Sequence, residues 1–261
     1  MEVKKQEKMA VGKMLTVLSF NIASGRRIDG KLDLELTARA IEQGQVDVAG
    51  LQEVDRNFSS RSRFWDQAKW LSNRLGMHMA YGPNLVDRGA GGARPKREYG
   101  NAILSRYPIV SFRNHDLSAV EVHPEEFEPR GMLEAIIEME GFRFSFYNTH
   151  LSLIDEEVDR SLTEIIAITT DNPLPQVLVG DFNAAPSTKH IQRFSKHFYN
   201  GFGSGPYPDT YKKQGDHGQK IDYIFHDAHF QALQAWTIDT EASDHVPIVA
   251  KIRNLQNFNN F

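Results

Sequence analysis

Short apolar runs separated by polar loops set the pattern of the chain. Leu15–Ile22 (LTVLSFNI) is apolar and β-branched enough for a buried strand, a helical period follows from Leu32 to Gln43, and Val46–Leu51 (VDVAGL) reads as a second buried strand. Phe64, Ala68, Leu71 and Leu75 recur at helical spacing ahead of Gly76, a natural helix stop. Residues 83–100 (PNLVDRGAGGARPKREYG) are rich in Gly and Arg and predict a mobile loop before a strand at Ala102–Ser105. Leu133–Met139 and Phe142–Tyr147 alternate on either side of Glu140-Gly141, which predicts a hairpin. Val158, Leu162, Ile165, Ile166 and Thr169 share one helical face, ended by Asp171-Asn172-Pro173 because proline cannot extend the hydrogen-bond ladder. Val177–Val179, Ile221–Phe225, Ala232–Ile238 and Ile248–Ile252 complete the strand-like runs. Hairpins mixed with a few helices predict an α+β sandwich, not an alternating βαβ domain. Residues 1–13 are polar and non-periodic and are expected to form a disordered tail; 14–261 contain no linker and are expected to form one domain.

Composition changes this picture mainly by exclusion. The 30 Lys and Arg against 34 Asp and Glu give a net charge of −4, so there is no broad cationic surplus of the kind a non-specific DNA binder uses. The absence of cysteine removes disulfides, thiolate nucleophiles and thiolate metal sites, leaving oxygen and imidazole as the available ligands. No apolar run approaches the roughly 18 residues of a membrane span, and the N-terminus lacks an apolar signal core. A cytoplasmic protein without a transmembrane segment is the expectation.

The candidate chemistry sits where buried apolar runs stop. Asn21 ends LTVLSFN, Glu53 ends VDVAGLQE, His150 ends FRFSFYNTH, Asp181 and Asn183 end VLVGDFN, Asp222 opens DYIF, and Asp244-His245 precede PIVAKI. An ionised Glu53 after an apolar run needs compensation, from a cation or from Arg56. Asn21 suits a turn cap as well as a site. Asp181 and Asn183 reach the same side if the chain stays extended, whereas an Asx-turn is the alternative. His150 taken alone reads first as a core histidine satisfied by backbone. Asp244 and His245 should face different partners, and Asp222 is the leading candidate to orient His245.

Taken in order, SFNI, LQEVD, YGNAILSRYPI, NTHLS, VGDFNAAPS, KIDYIF and SDHVPIVA resemble the endonuclease/exonuclease/phosphatase superfamily, the DNase I-like metal-dependent phosphohydrolases. The resemblance runs from about residue 15 to 252. It implies a four-layer α/β/β/α sandwich with two mixed sheets packed face to face. It implies Glu53 as direct Mg2+ ligand, with Asn21 and Asp244 near the metal and Mn2+ as an alternative ion. Asp181 then positions or deprotonates the attacking water, Asn183 orients water and phosphate, and His150 and His245 contact the scissile phosphate with Asp222 behind His245. Asn101 and Arg130 are candidate substrate contacts; a strand cap for Asn101, and an ion pair with Glu128 or Glu134 for Arg130, are the alternatives. Arg61, Arg63, Arg88, Arg94, Lys96 and Arg97 could steer an anion or be ordinary solvated charges.

The implied reaction is in-line attack of activated water on phosphorus in a phosphate ester that is small, lipid-derived or part of a nucleic acid. The chain lacks the WCDR-type pattern of inositol-polyphosphate phosphatases and the extra DNA-contacting segments of abasic-site endonucleases. Its segments look closest to small bacterial members, and similar segments occur in members that remodel lipid anchors. A phosphodiesterase or phosphatase is the leading expectation and a nuclease the alternative. A silent interaction module is disfavoured because every position of the constellation holds a chemically competent residue.

Overall fold

The computed structural model describes residues 12–87, 95–119, 128–212 and 218–255. In chain order the elements are β1 (Met14–Asn21), α1 (Leu34–Gln43), β2 (Val48–Arg56), α2 (Gln67–Leu75), β3 (His78–Asp87), β4 (Arg97–Ser105), β5 (Ile109–Asp116) and β6 (Gly131–Met139). They continue through β7 (Phe142–His150), α3 (Asp155–Thr170), β8 (Gln176–Asp181), α4 (Lys189–Phe194), β9 (Tyr199–Asn200), β10 (Asp222–His226), β11 (Phe230–Thr237) and β12 (Ile248–Asn254). The strands form two six-stranded sheets, ordered β11-β12-β1-β2-β4-β3 and β5-β6-β7-β8-β10-β9. Each is mixed: β1 runs parallel to β2, β7 runs parallel to β8, and the other neighbours are antiparallel.

Alternating side chains of the central strands go to different cores, which explains why their sequences are apolar without a break. Val17, Val48 and Ile103 pack between the sheets with Phe144, Phe146 and Val179. Their neighbours Leu18, Ala49 and Leu104 pack outward with Ala38 and Ile41 of α1 and Leu71 of α2. On the far side, Leu178, Tyr147 and Tyr223 pack with Val158 and Leu162 of α3 and Phe194 of α4. Three apolar layers therefore separate four layers of structure, the expected α/β/β/α sandwich.

Local signals decide the element ends. Asp33 caps α1 by accepting from the Leu36 amide at 3.0 Å, and Asp66 caps α2 through the Lys69 amide at 3.0 Å. Gly76 ends α2 at φ +64°, and Glu140-Gly141, both at positive φ, close the β6–β7 hairpin. Phe64, expected on the face of α2, lies outside it in the preceding turn, where its amide donates to the Ser59 carbonyl at 3.0 Å. Residues 83–87 and 97–100 were expected in a loop but extend β3 and β4 into a long antiparallel pair; the intervening 88–94 lie outside the described residues, as do 1–11 of the expected tail. Their polar composition misled the reading because β3 is an edge strand with a partly exposed end. The exposed edge strand β5 and the six-residue α4 left no clear period either.

A polar bridge crosses the otherwise apolar middle layer. Asn148 of β7 donates to the carbonyls of Leu51 and Ala102, each at 2.8 Å, and accepts from Gln52 Nε2 at 2.6 Å. Gly50 makes room for it: a Cβ there would lie 2.3 Å from Val179 Cγ2 and 3.0 Å from Asn148 Cγ. Replacing Asn148 by Ala strands a buried amide and two carbonyls, each lost partnership being worth about 1–3 kcal/mol. Asn148→Ala is expected to lower the urea unfolding free energy by about 2–4 kcal/mol; a loss below about 1 kcal/mol would show that the bridge is not what ties the sheets.

Candidate active site

The strand register lines up polar residues at one end of both sheets. In the second sheet His150 pairs with Asp181, and Asp181 with Asp222, so three neighbouring strands present one functional side chain each in a row. In the first sheet Asn21 ends β1, and residues 243–245 form the approach to β12. Glu53 arrives differently. Leu51 pairs with Ala102 and Val54 with Gly100, so β2 holds one extra residue against β4, and both Leu51 and Val54 face the outer core. This bulge turns Glu53, at φ +56°, out of strand alternation and into the site. β2 thus continues to Arg56, beyond the expected end at Leu51.

The side chains form a connected network. Asn21 Nδ2 donates to Glu53 Oε1 at 3.0 Å and to Asp181 Oδ2 at 3.1 Å, joining the two sheets, while its Oδ1 accepts from the Ala23 amide at 3.1 Å. Asn21 thus caps a turn through its Oδ1 while its Nδ2 joins this network. Asp181 Oδ2 stands 3.5 Å from His150 Nε2 and 3.6 Å from His245 Nε2. The Asn183 amide donates to Asp181 Oδ1 at 3.0 Å, and Asn183 lies at φ +48°. The chain is therefore not extended here: an Asx-turn brings Asn183 beside Asp181, with its Nδ2 at 2.9 Å from the Leu151 carbonyl and 3.2 Å from His150 Nε2. His245 Nδ1 meets Asp222 Oδ2 at 2.9 Å, the pairing inferred from the sequence. Asp244 instead meets Ser243 Oγ at 3.2 Å. Arg56 pairs with Glu98, which leaves Glu53 without that cation.

Charge states follow from burial and neighbours. Burial disfavours the imidazolium of both histidines, but at His245 the Asp222 and Asp181 carboxylates overcome it and push the pKa up to about 10. His150 keeps the burial effect, reinforced by Arg130 and the charged His245, and stays neutral. Its Nε2, facing the Asn183 amide, is then the acceptor. Burial raises the Asp181 carboxyl into the neutral range, and the Asp222 charge adds to this.

These residues border a cleft of about 310 Å3 whose lining includes Glu53, His150, Asp181, Asn183, Asp244 and His245. Arg130 also lines it while pairing with Glu128 at 2.8 Å, so the ion pair and the position at the cleft coexist. Asn101 does not border the cleft; it is buried in β4 and donates to the Gly131 carbonyl at 3.2 Å. Arg61 is held by Asp55 through two bonds of 3.0 and 2.8 Å, a structural pair. The sequence reading missed Tyr99, Glu128, Tyr211 and Gln219 in the lining, and Thr210, whose hydroxyl accepts from the Ile221 and Asp222 amides at 3.1 and 3.0 Å. Only Tyr99 stands in a motif; the others reach the site through loops.

Two descriptions of a cation site are available. Asp181, Asp222 and His245 have ligand atoms mutually within 4.8 Å, the one such group among the described residues. The Asp222–His245 contact within it is already a hydrogen bond to an imidazole that favours protonation, which disfavours metal at His245 Nδ1. Glu53 and Asp244 offer the cleft oxygen ligands suited to a hard divalent ion, with the Asn21 amide beside Glu53. With Glu128 paired to Arg130 and Asp181 raised toward neutrality beside the His245 imidazolium, Glu53 and Asp244 are left in the lining without an ion pair among the described residues. That imbalance fits a bound cation.

Comparison with known proteins places this geometry. The family model described as "Endonuclease/Exonuclease/phosphatase family" matches residues 18–245. Protein cwh43 of Schizosaccharomyces pombe is 29% identical over 143 residues, covering 54% of this chain and 13% of that protein. The uncharacterized protein YbhP of Escherichia coli K12 is 28% identical over 182 residues, covering 64% of this chain and 66% of YbhP. The chain thus spans less than two thirds of either relative's length. A solved endonuclease/exonuclease/phosphatase structure from Beutenbergia cavernae superposes with a TM-score of 0.77 at 24% identity, over 93% of this chain and 72% of that one.

The histidine assignments give a pH prediction. An imidazole raised from 6.5 to about 10 on folding contributes stability that is complete below pH 6.5 and is lost as pH rises through 10. The raised Asp181 acts in the same direction at lower pH, because the folded state holds its proton more tightly. His245 is expected to remain an imidazolium at about pH 8 by 15N NMR, and Asp222→Asn to bring its titration down toward the ordinary histidine range. A wild-type His245 titrating near 6.5 would contradict the assignment.

Proposed function

The chain belongs to the Endonuclease/Exonuclease/phosphatase family, and from that premise we propose that it is a divalent-cation-dependent phosphoric ester hydrolase, a phosphodiesterase or phosphatase using Mg2+ or Mn2+. The carrying observation is the cleft itself: a neutral histidine and a charged histidine stand within 3.6 Å of the Asp181 carboxylate, beside Glu53 and Asp244, which form no ion pair among the described residues. Glu53 and Asp244, with the Asn21 amide alongside, would hold the ion. When bound, it supplies positive charge to the phosphoryl oxygens and lowers the pKa of water.

Each residue of the chain then has a task. Asp181, raised toward neutrality by burial, is suited to take the proton of the attacking water. Asn183 supports that water and fixes His150. The new oxygen–phosphorus bond forms as the ester bond on the opposite side breaks, with no covalent intermediate. The His245 imidazolium, held by Asp222, donates to a phosphoryl oxygen and stabilises the charge gathering there. Arg130 at the cleft wall adds a second cation for the ester.

The test is a hydrolysis panel of aryl phosphodiesters, phospholipids, sugar phosphates, plasmid DNA and single strands with Mg2+ or Mn2+ and an EDTA control. At least one ester should be cleaved, and only with the ion present; full turnover after metal stripping would overturn the reading. Glu53→Gln and His245→Ala should each lower kcat by about 10²–10⁴-fold. His245→Ala combined with Asp222→Asn should be little worse than His245→Ala alone, because residues acting as a unit are non-additive; fully multiplicative losses would separate their roles.

A further inference from the structure

We propose that the turn before α2 is a membrane-docking surface, which places the cleft at a bilayer carrying anionic headgroups. Phe64 and Trp65 are 46% and 38% exposed on consecutive positions, although large aromatics are ordinarily withdrawn from water. Their display is built into the backbone. Arg63 and Phe64 both adopt positive φ, 54° and 55°, a conformation that bulky residues avoid. The turn is pinned by the Phe64 amide to the Ser59 carbonyl at 3.0 Å, the Trp65 amide to Ser62 at 3.1 Å, and the Asn57 amide to Trp65 at 3.0 Å. Trp65 also stacks on Trp70 of α2, with ring centres 6.4 Å apart and planes 10° from parallel.

The surroundings indicate what this surface meets. Phe64 separates two shallow hollows, one of about 310 Å3 reaching Pro95 and Arg97, the other of about 360 Å3 bounded by Trp65, Trp70 and Lys69. Arg63 lies over the Trp65 ring at 5.8 Å and Arg97 over the Phe64 ring at 5.5 Å. Aromatic rings ringed by long cationic side chains match the headgroup boundary of a bilayer, where rings enter the acyl edge and guanidinium or ammonium groups remain with phosphates. On a chain of net charge −4 this patch carries three cations, Arg63, Lys69 and Arg97, against Asp66 and Asp87. Asp66 is occupied in capping α2, and Asp87 lies 3.7 Å from Arg97.

The patch also adjoins the cleft. Phe58 packs on Tyr99 of the cleft wall at 5.7 Å between ring centres, and Arg61 bridges both rings at 4.9 and 5.3 Å. Arg97 and Tyr99 lie two residues apart on β4 and so face the same side. A bilayer seated on Phe64 and Trp65 therefore borders the opening that admits the ester.

Binding tests the surface without reference to hydrolysis, so failure of this inference and failure of the hydrolytic reading are separable. The full chain is sedimented with vesicles of phosphatidylcholine alone and of phosphatidylcholine with 30% phosphatidylserine, roughly the anionic charge that attracts basic segments. Wild type should bind the anionic vesicles and shift its tryptophan emission to the blue. The double variant Phe64→Ser, Trp65→Ser should bind about tenfold more weakly, and Arg63→Glu with Lys69→Glu should remove the preference for anionic vesicles. Both pairs should leave hydrolysis of a soluble aryl phosphodiester unchanged. Absence of vesicle binding would overturn the proposal. So would binding indifferent to both double variants, or reversible dimerisation in ultracentrifugation that the Phe64→Ser, Trp65→Ser pair abolishes.

Discussion

Two sheets can pack face to face only while the space between them is apolar or fully hydrogen-bonded, and in this protein the change from one to the other occurs at Asn148. Below it the middle layer is apolar, with Phe144 and Phe146 of the same strand, and Val179 and Ile103 flank it at its own level. At its level, Asn148 and Gln52 exchange a hydrogen bond across the gap and anchor to the backbone of β2 and β4. Beyond it the gap becomes the cleft. The position of the site is thus a consequence of sheet packing: where side chains stop being apolar, the strand ends hold polar groups close enough to act together. Asn21 repeats the tie one layer higher, bonded to Glu53 of its own sheet and to Asp181 of the other.

That arrangement has an electrostatic consequence. Burial, with the Asp222 charge beside it, raises Asp181, while Asp222 and Asp181 hold His245 charged against its burial and His150 stays neutral. Two histidines that look equivalent in sequence therefore have different protonation states, set by which of them has a carboxylate partner at hydrogen-bond distance. Asp222 is the partner of His245, and Thr210 fixes Asp222 by accepting from its amide.

Much of this was legible in the sequence because burial and chemistry coincide on single strands. The runs ending at Asn21, His150 and Asp181 show both the strand and its polar tip, and the opposed directions of Asp244 and His245 called for a distant carboxylate, for which Asp222 was the leading candidate. What was not legible depends on departures from strand regularity. Glu53 reaches the cleft only because β2 carries an extra residue, which no pattern of apolar positions shows, whereas Asn183 arrives through the Asx-turn that the sequence left open as the alternative. Tyr211, Gln219 and Glu128 arrive from loops whose course depends on tertiary packing. Asn101, equally polar and equally close to a strand, instead spends its amide on the Gly131 carbonyl.

The proposed chemistry requires a divalent cation held by oxygen ligands around Glu53, with the Asp222–His245 pair left to handle charge. Anomalous diffraction from crystals grown or soaked with Mn2+ tests this most directly. A single strong peak bonded to Glu53, completed mainly by water with Asn21 or Asp244 nearby and lost in Glu53→Gln crystals, is expected. A peak centred on His245 and Asp222, with Glu53 outside bonding distance, would contradict it and assign a transition-metal site in place of a hydrated hard cation.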